Sequence, residues 1–286
     1  MPKTAEDYFN SGFDKYELQD YKGAIQDYNK AIKINPKYSD AYINRGVAKG
    51  NLQDYRGEIQ DYNEAIKINP NYANAYSNKG VAKAELQDYK GAIQDYNKAI
   101  KIKPKYANAY SNRGNAKYEL QDYKAAIQDY NKAIKINPKY ANAYINRGLA
   151  KGNLQDYKAA IQDYNKVIKI NPKDDNAYIN RGVAKGNLQD YKAAIQDYNK
   201  AIELNPNYVE AYFNRGNAKY GLKDHRGAIQ DYNKAIELNP NHADAYNNRG
   251  LAKISLGQKD DGCLDFSESS ELGLSEANGA IKENCN

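Results

Sequence analysis

The chain has 286 residues and a net charge of +6, from 42 basic and 36 acidic residues. Charged residues make up 27% and hydrophobic residues 41%, a balance that excludes disorder throughout the chain. No stretch approaches the roughly 18 consecutive apolar residues that a membrane-crossing helix needs.

Seven of the eight prolines are spaced by 34 residues, and this period indicates an array of small repeats. In register, the repeats start at Ala5, Ser39, Ala73, Ala107, Ala141, Asp175, Val209 and Ala243. We therefore predict an N-terminal head over residues 1–4, eight tandem repeats over 5–276, and a capping helix with a tail over 275–286. Positions below are counted within a repeat.

Each repeat predicts two helices. The first covers about fourteen positions and ends near a leucine such as Leu120, and the second runs through a segment such as AIQDYNKAI. The aspartate at position sixteen, Asp122 in the fourth repeat, is suited to capping the second helix. That helix ends at Asn-Pro, where proline disfavours helical geometry in the preceding residue and asparagine tolerates a left-handed cap.

Small and aromatic residues alternate on the arcs that the two helices should bury. Positions three, four, eight, ten and fourteen hold Ala, Tyr, Gly, Ala and Leu. Positions seventeen, twenty, twenty-one, twenty-four, twenty-seven and twenty-eight hold Tyr, Ala, Ile, Tyr, Ala and Ile. Neither helix is long enough to be stable alone, so each must bury this arc on its neighbours.

The 34-residue period resembles the tetratricopeptide repeat, as do Gly at position eight, Ala at twenty, an aromatic at twenty-four, Ala at twenty-seven and Pro at thirty-two. The resemblance covers residues 5 to about 276. It implies an all-α fold, a right-handed α-solenoid (superhelix) of eight helix-turn-helix repeats with a C-terminal capping helix. It also implies that the first helices line a concave groove.

Two cationic positions depart from the family pattern. Position eleven is lysine in every repeat, and position seven is arginine or lysine in all repeats but the first. Both fall near the middle of the packed arc, where two cations one turn apart would repel. Because position twenty-three is always aspartate, we predict that these carboxylates pair with both cations.

The opposite arc of the first helix is where a partner could bind. Asparagine occupies position six of all eight repeats, at Asn10, Asn44, Asn78, Asn112, Asn146, Asn180, Asn214 and Asn248. An amide offers a donor and an acceptor, which match the backbone of an extended peptide. The pattern resembles the asparagine ladder of the O-GlcNAc transferases and kinesin light chains. The alternative is that the asparagines were copied with the repeat and only face water.

More variable positions on the same arc would select the sequence of a partner. The candidates are Ile43, Ile145, Ile179 and Phe213 at position five, Asn115 and Asn217 at nine, and Tyr16, Tyr118 and Tyr220 at twelve. Small residues at position twelve of other repeats should leave pockets between the tyrosines. The carboxylate clamp of co-chaperone tetratricopeptide domains is incomplete, because positions two and five never carry lysine.

These patterns predict a non-enzymatic scaffold for a protein or peptide partner, which binds an extended peptide or a partner helix in its groove through the asparagine ladder. The alternative is a self-associating structural array without a dedicated ligand. A nucleic-acid partner is not favoured, because the lysines recur in each repeat and form no single block. We expect no membrane association.

No catalytic constellation, cofactor site or metal site is predicted. The two histidines, His225 and His242, replace packing tyrosines, and there is no Cys/His set for a metal. Cys263 and Cys285 form no disulfide framework, and Cys263 is expected to be a buried thiol. The first residues have no apolar secretion signal, so we expect a cytoplasmic, reducing location.

The last repeat departs from the others in a way that should close the array. Its proline is replaced by Leu274, and Ser275 is placed to cap a short helix from Glu276 to about Glu283. Such a helix would cover the apolar face that a further repeat would bury.

Overall fold

A computed structural model describes residues 2–285, so Met1 of the predicted head and Asn286 of the predicted tail lie outside the described residues. Within 2–285 the structure has seventeen α-helices and no strand. The helices are α1 Ala5–Glu17, α2 Tyr21–Ile34, α3 Ser39–Asn51, α4 Tyr55–Ile68, α5 Ala73–Glu85, α6 Tyr89–Ile102, α7 Ala107–Glu119, α8 Tyr123–Ile136, α9 Ala141–Asn153, α10 Tyr157–Ile170, α11 Asp175–Asn187, α12 Tyr191–Leu204, α13 Val209–Gly221, α14 His225–Leu238, α15 Ala243–Ser255, α16 Lys259–Glu271 and α17 Glu276–Asn284.

The helices form two compact bodies, which we call the N-terminal half (residues 2–146) and the C-terminal half (147–285). In the N-terminal half, consecutive helices from α1 through α8 pack on one another. In the C-terminal half, α10 to α17 do the same. This stacking of helix pairs is the all-α solenoid that the repeat pattern predicts. The handedness of the superhelix stays a prediction.

The turns confirm one capping prediction and correct another. The position-sixteen aspartates cap the second helices, as where Asp20 Oδ1 accepts from the Gly23 N–H at 2.9 Å. The asparagine that ends the helix is not left-handed, since Asn35 has φ −127° and its side chain accepts from the Lys37 N–H. The left-handed residue is instead at position fifteen, for example Gln121 with φ 60°.

Alanines, glycines and tyrosines fill the core as the helical arcs predict. The alanines at positions twenty and twenty-seven and the tyrosine at twenty-four are buried, as in Ala126, Tyr130 and Ala133. A Cβ on Gly114 would lie 2.7 Å from the Tyr130 ring, so position eight has room only for glycine. The leucine at position fourteen was wrongly assigned to the core. Leu120 lies one residue beyond its helix and is 42% exposed.

The predicted pairing of aspartate with two cations is confirmed. In the fourth repeat, Arg113 Nε donates to Asp129 Oδ2 at 2.9 Å and Lys117 Nζ lies 2.7 Å from the same carboxylate. The C-terminal half repeats this geometry, as where Arg215 and Lys219 pair with Asp231. In the first repeat, burial alone would raise the pKa of Asp27, but hydrogen bonds from Lys15, Lys30 and Ser11 lower it to about 2.

The C-terminal half ends in the predicted capping helix. Helix α17 packs on α16 and buries Ala277 completely. The capping role of Ser275 is wrong. Ser275 has helical geometry and makes no cap hydrogen bond, and its hydroxyl instead donates to Glu276.

The prediction of a buried thiol at Cys263 is also wrong. Cys263 in α16 and Cys285 after α17 form a disulfide, with their Cα atoms 5.8 Å apart. The pairing depends on the chain folding back at Gly273, which has φ 96°. The bond removes the argument from two isolated cysteines, and the cytoplasmic location stays a prediction.

Candidate functional site

The asparagines at position six lie on the first helices with differing surroundings. Asn10 is exposed, and the other seven are partly buried. Asn146 Nδ2 donates to Asn115 Oδ1 at 2.9 Å, and Asn248 Nδ2 donates to Asn217 Oδ1 at 2.9 Å. Among residues 2–285, no hydrogen-bond partner faces the side-chain amides of Asn112, Asn180 and Asn214. These three amides are therefore free to bind a ligand.

Two open cavities occupy equivalent places in the two halves. The first, of about 440 Å³, lies between the third and fourth repeats, and the second, of about 320 Å³, lies between the sixth and seventh. The first is lined by Val81, Ala84, Glu85, Gln87, Tyr89, Tyr96, Asn112, Asn115, Ala116 and Glu119. The second is lined by Val183, Gly186, Asn187, Tyr191, Tyr198, Asn214, Asn217 and Ala218.

A buried tyrosine at position twenty-four contributes to each cavity. Tyr130 and Tyr232, which line neither, donate their hydroxyls to Asn115 and Asn217 at 2.9 and 2.8 Å. Tyr96 and Tyr198 are only 1% and 3% exposed. Because position nine of their own repeats is Val81 or Val183, their hydroxyls have no partner among the described residues. An unpaired hydroxyl thus lies beside an unpaired amide in each cavity.

The residue at position twelve sets the size of these cavities. The two large cavities have Ala84 or Gly186 there. Tyrosine at this position leaves about 50 Å³ beside Tyr16 and about 120 Å³ beside Tyr220. Each of the three position-twelve tyrosines packs its ring against the aromatic ring at position seventeen of the same repeat. The Tyr118 and Tyr123 ring centroids, for example, are 5.2 Å apart.

Position five was wrongly placed on the binding surface in two repeats. Ile43 and Ile179 are only 8% and 6% exposed and pack into the core against Tyr62 and Tyr198. Phe213 is partly buried and stacks on His242, with ring centroids 4.6 Å apart. Ile145 is partly buried. The turn of the first helix directs position five inward, between consecutive repeats, whereas its positions six, nine, ten, twelve and thirteen border the two large cavities.

Family models match most of the chain. A model described as TPR repeat matches residues 14–53, 51–87, 82–121, 114–155 and 187–223. A second model, described as tetratricopeptide repeat, matches residues 141–174 and 209–242, and a third with the same description matches residues 231–263. The chain belongs to the tetratricopeptide repeat family. No curated protein matches it at a significant level.

Solved tetratricopeptide structures share the fold. A tetratricopeptide repeat protein from Parabacteroides merdae superposes with a TM-score of 0.66 at 22% identity, over 87% of this chain and 99% of that one. The C-terminal part of a repeat protein from Cytophaga hutchinsonii gives 0.70 at 20% identity, over 84% and 98%. YrrB, described as a TPR protein with an unusual peptide-binding site, gives 0.55 at 23% identity, over 65% and 97%.

One buried carboxyl in the tetratricopeptide array was missed by the sequence reasoning. Glu58 replaces the alanine of position twenty and is 8% exposed, with its Oε1 accepting from the Tyr62 hydroxyl at 2.8 Å. Burial and, to a smaller extent, the charges of Glu85 and Asp54 raise the pKa of Glu58 to about 7, although the hydrogen bond from Tyr62 lowers it. The signal was visible, since the other repeats have alanine or glycine at this position.

Residues 2–285 contain neither a cluster of metal-ligating side chains nor a helix that could span a membrane. Within residues 2–285, no group of three or more His, Cys, Asp or Glu side chains is arranged to hold a metal ion. Over the same residues, every helix is too short or too polar to cross a bilayer.

Proposed function

We propose that this protein is a non-enzymatic scaffold that binds a segment of a partner protein on its first-helix face. The observation that carries the proposal is that each large cavity is lined by an asparagine amide and a tyrosine hydroxyl, neither of which has a hydrogen-bond partner in the described part of the chain. Asn112 with Tyr96, and Asn214 with Tyr198, line their cavities without partners among residues 2–285. These groups line open cavities, so a ligand can replace the water that would otherwise hydrogen-bond to them.

An extended peptide fits the chemistry of these groups. Its backbone presents alternating N–H and C=O groups, and the Asn112 amide can serve both. Val81 and Ala84 add an apolar wall for a side chain. We reduce the asparagine ladder to the partly buried amides that have no partner among the described residues, Asn112, Asn180 and Asn214. Tetratricopeptide neighbours such as YrrB offer a precedent for peptide binding on this fold.

The charge of the first cavity suggests the composition of the partner. Glu85 and Glu119 line it, whereas the second cavity has Asn187 and a neutral rim. A segment bound in the first cavity should therefore carry lysine or arginine, and one bound in the second should be uncharged.

The test is selection of peptides from a random displayed library on the full chain, followed by calorimetry with the selected peptides. Asn112→Ala with Asn214→Ala should weaken binding at least tenfold, because each removes hydrogen bonds to the peptide backbone. Asn146→Ala is the matched control, since its amide is already bound to Asn115. Equal affinities for all three proteins would remove the amides from the site.

End-to-end self-association is the second candidate. It would require an uncovered apolar end, but α17 and the Cys263–Cys285 disulfide close the C-terminal half. We therefore expect a monomer in light scattering across micromolar concentrations.

A further inference from the structure

The outer arc of the second helices carries a dense set of lysines in the N-terminal half. Positions eighteen, twenty-two, twenty-five, twenty-six and twenty-nine fall within about 100° of the helix circumference. In α6, α8 and the turns after them, this arc and position thirty-three present eight exposed lysines. We call these eight the lysine face: Lys90, Lys98, Lys101, Lys105, Lys124, Lys132, Lys135 and Lys139.

The lysine face is one surface because α6 and α8 hold the same place in consecutive repeats. Helix α7 packs against both of them. The sequence shows lysines scattered through every repeat, and the fold gathers those of the second helices on one side.

None of the eight lysines forms an ion pair within residues 2–285. The nearby aspartates are already engaged. Asp95 and Asp129 are buried and paired with first-helix cations, and Asp88 and Asp122 cap their helices. The cations of the first helices are neutralised, and those of the lysine face are not.

The sixth and seventh repeats, in the C-terminal half, show the same arc without excess charge. Their position twenty-nine is Glu203 or Glu237, which pairs with Lys200 or Lys234 at 2.6 Å. Their position thirty-three is Asn207 or Asn241, whereas the fifth repeat keeps the lysines, at Lys158, Lys166, Lys169 and Lys173. Residues 1–146 contain 23 basic and 17 acidic side chains, whereas residues 147–286 contain 19 of each. The whole net charge therefore lies in the N-terminal half.

The side chains on this arc favour one class of partner over the others. Besides lysine it presents Gln94, Asn97 and their counterparts in α8, with no aromatic or large apolar side chain. Without apolar anchors, an acidic peptide gains little, because exposed ion pairs contribute about 0–1 kcal/mol each. Without aromatics, the surface cannot stack the bases of a single strand. A duplex is bound mainly by release of its condensed counterions, which needs only cations.

We propose that the lysine face binds the phosphodiester backbone of a nucleic-acid duplex without reading its sequence. Lysine heads contact phosphates, and the amides of Gln94 and Gln128 can donate to phosphate or sugar oxygens. This surface lies on the second helices, so the proposal is independent of peptide binding on the first helices.

The experiment measures binding of the full chain to a fluorescent 20-base-pair DNA duplex by anisotropy between 50 and 200 mM NaCl. If about four phosphates are contacted, the slope of log affinity against log salt is about −4 and affinity falls roughly 100-fold over this range. Two unrelated duplex sequences should bind equally.

The C-terminal half supplies the matched variant. Lys101→Glu, Lys105→Asn, Lys135→Glu and Lys139→Asn install the residues that positions twenty-nine and thirty-three carry at Glu203, Asn207, Glu237 and Asn241. Since the fold already accommodates them, the variant should remain folded by circular dichroism. We expect at least tenfold weaker binding and a shallower salt slope. The reciprocal exchange of the four C-terminal residues to lysine should strengthen binding.

Each remaining outcome counts against the proposal. Absence of duplex binding at 50 mM NaCl overturns it, as does binding that the fourfold variant leaves unchanged. Tighter binding to phosphatidylserine vesicles or to poly-glutamate than to the duplex assigns the lysine face to a membrane or an acidic protein instead. The Asn112→Ala and Asn214→Ala protein should bind duplex normally, which separates this test from that of the peptide site.

Discussion

The two halves of this protein are built from one repeat but differ in what they expose and in how they end. The N-terminal half combines an acidic cavity, lined by Glu85 and Glu119, with an unpaired lysine face. The C-terminal half has a neutral cavity, pairs Lys200 with Glu203 and Lys234 with Glu237 on its outer arc, and is closed by a disulfide.

The comparison separates what the fold needs from what it permits. Both halves keep the buried tyrosine of position twenty-four and the aspartate with its two cations. The individual repeats differ at positions twelve, thirteen, twenty-nine and thirty-three, where side chains reach the surface. The variable, exposed positions therefore determine what each surface can bind, while the shared positions keep the helices stacked.

The largest expected effect tests a feature that both halves share. Asp129→Asn removes the anion that pairs Arg113 and Lys117, so two partly buried cations are left without a counter-charge. Breaking a buried pair in this way costs about 3–5 kcal/mol. Hydrogen exchange of α8 should report this loss of stability.

The matched variant in the other half is Asp231→Asn, which frees Arg215 and Lys219. We expect the same loss in α14, because the geometry is the same. A cost below about 1 kcal/mol in either half would show that the cations reach water and that the aspartate does not stabilise the stack.

The next effect should be confined to the C-terminal half. Cys263→Ser with Cys285→Ser removes a crosslink that spans 22 residues of chain. The loop-closure estimate for this length is about 3 kcal/mol. Exchange protection of α17 should fall sharply, whereas that of α2 and α6 should not change. Equal loss in both halves would mean that the disulfide acts on the whole chain.

A third effect belongs to the N-terminal half and depends on pH. The Glu58 carboxyl ionises at about pH 7 in the folded protein and near 4.5 when unfolded. Below pH 4.5 it is protonated in both states and has no effect on stability. As pH rises to 7 the unfolded state loses its proton first, so stability falls, by about 3 kcal/mol at most. Above pH 7 the penalty is constant.

Glu58→Gln should remove this pH dependence, since the amide keeps the shape of the side chain without ionising. At pH 8 the variant should unfold at higher denaturant concentration than the parent, and at pH 5 the two should differ little. Glu58→Ala installs the alanine that other repeats carry at this position, as at Ala92 and Ala126, and it should likewise remove the pH dependence of stability. Parallel pH profiles for parent and variants would show that the carboxyl stays hydrated.

The repeat period made the fold predictable because local signals agree eight times over. Helix bounds, the Asp122-type caps and the aspartate pairs follow from residue spacing alone, since each depends on contacts within a repeat or with its neighbour. The cavities were anticipated only in kind. Their positions depend on which tyrosine hydroxyl finds an asparagine acceptor, as Tyr130 does and Tyr96 does not.

Other features were beyond spacing arguments. The angular position of repeat position five on the first helix suggested exposure, but Ile43 and Ile179 are covered by the following repeat. A projection of a single helix does not take that neighbouring repeat into account. The disulfide joins residues from different helices, so it depends on how the chain turns at Gly273. The left-handed turn residue was missed because glutamine carries no signal for it.

That missed turn gives the smallest expected effect. Gln121 has φ 60°, where a side chain costs about 1 kcal/mol, whereas the eighth repeat has Gly257 at this position with φ 78°. Gln121→Gly relieves the strain but adds freedom to the unfolded chain, so we expect a gain of at most about 0.5 kcal/mol. Gln121→Val should instead lose stability, because a β-branched residue is strongly disfavoured at positive φ. The reverse change in the C-terminal half, Gly257→Gln, should lose as much as Gln121→Gly gains. Thermal melts in which the valine and glycine variants coincide would contradict the left-handed turn, because only that geometry distinguishes them.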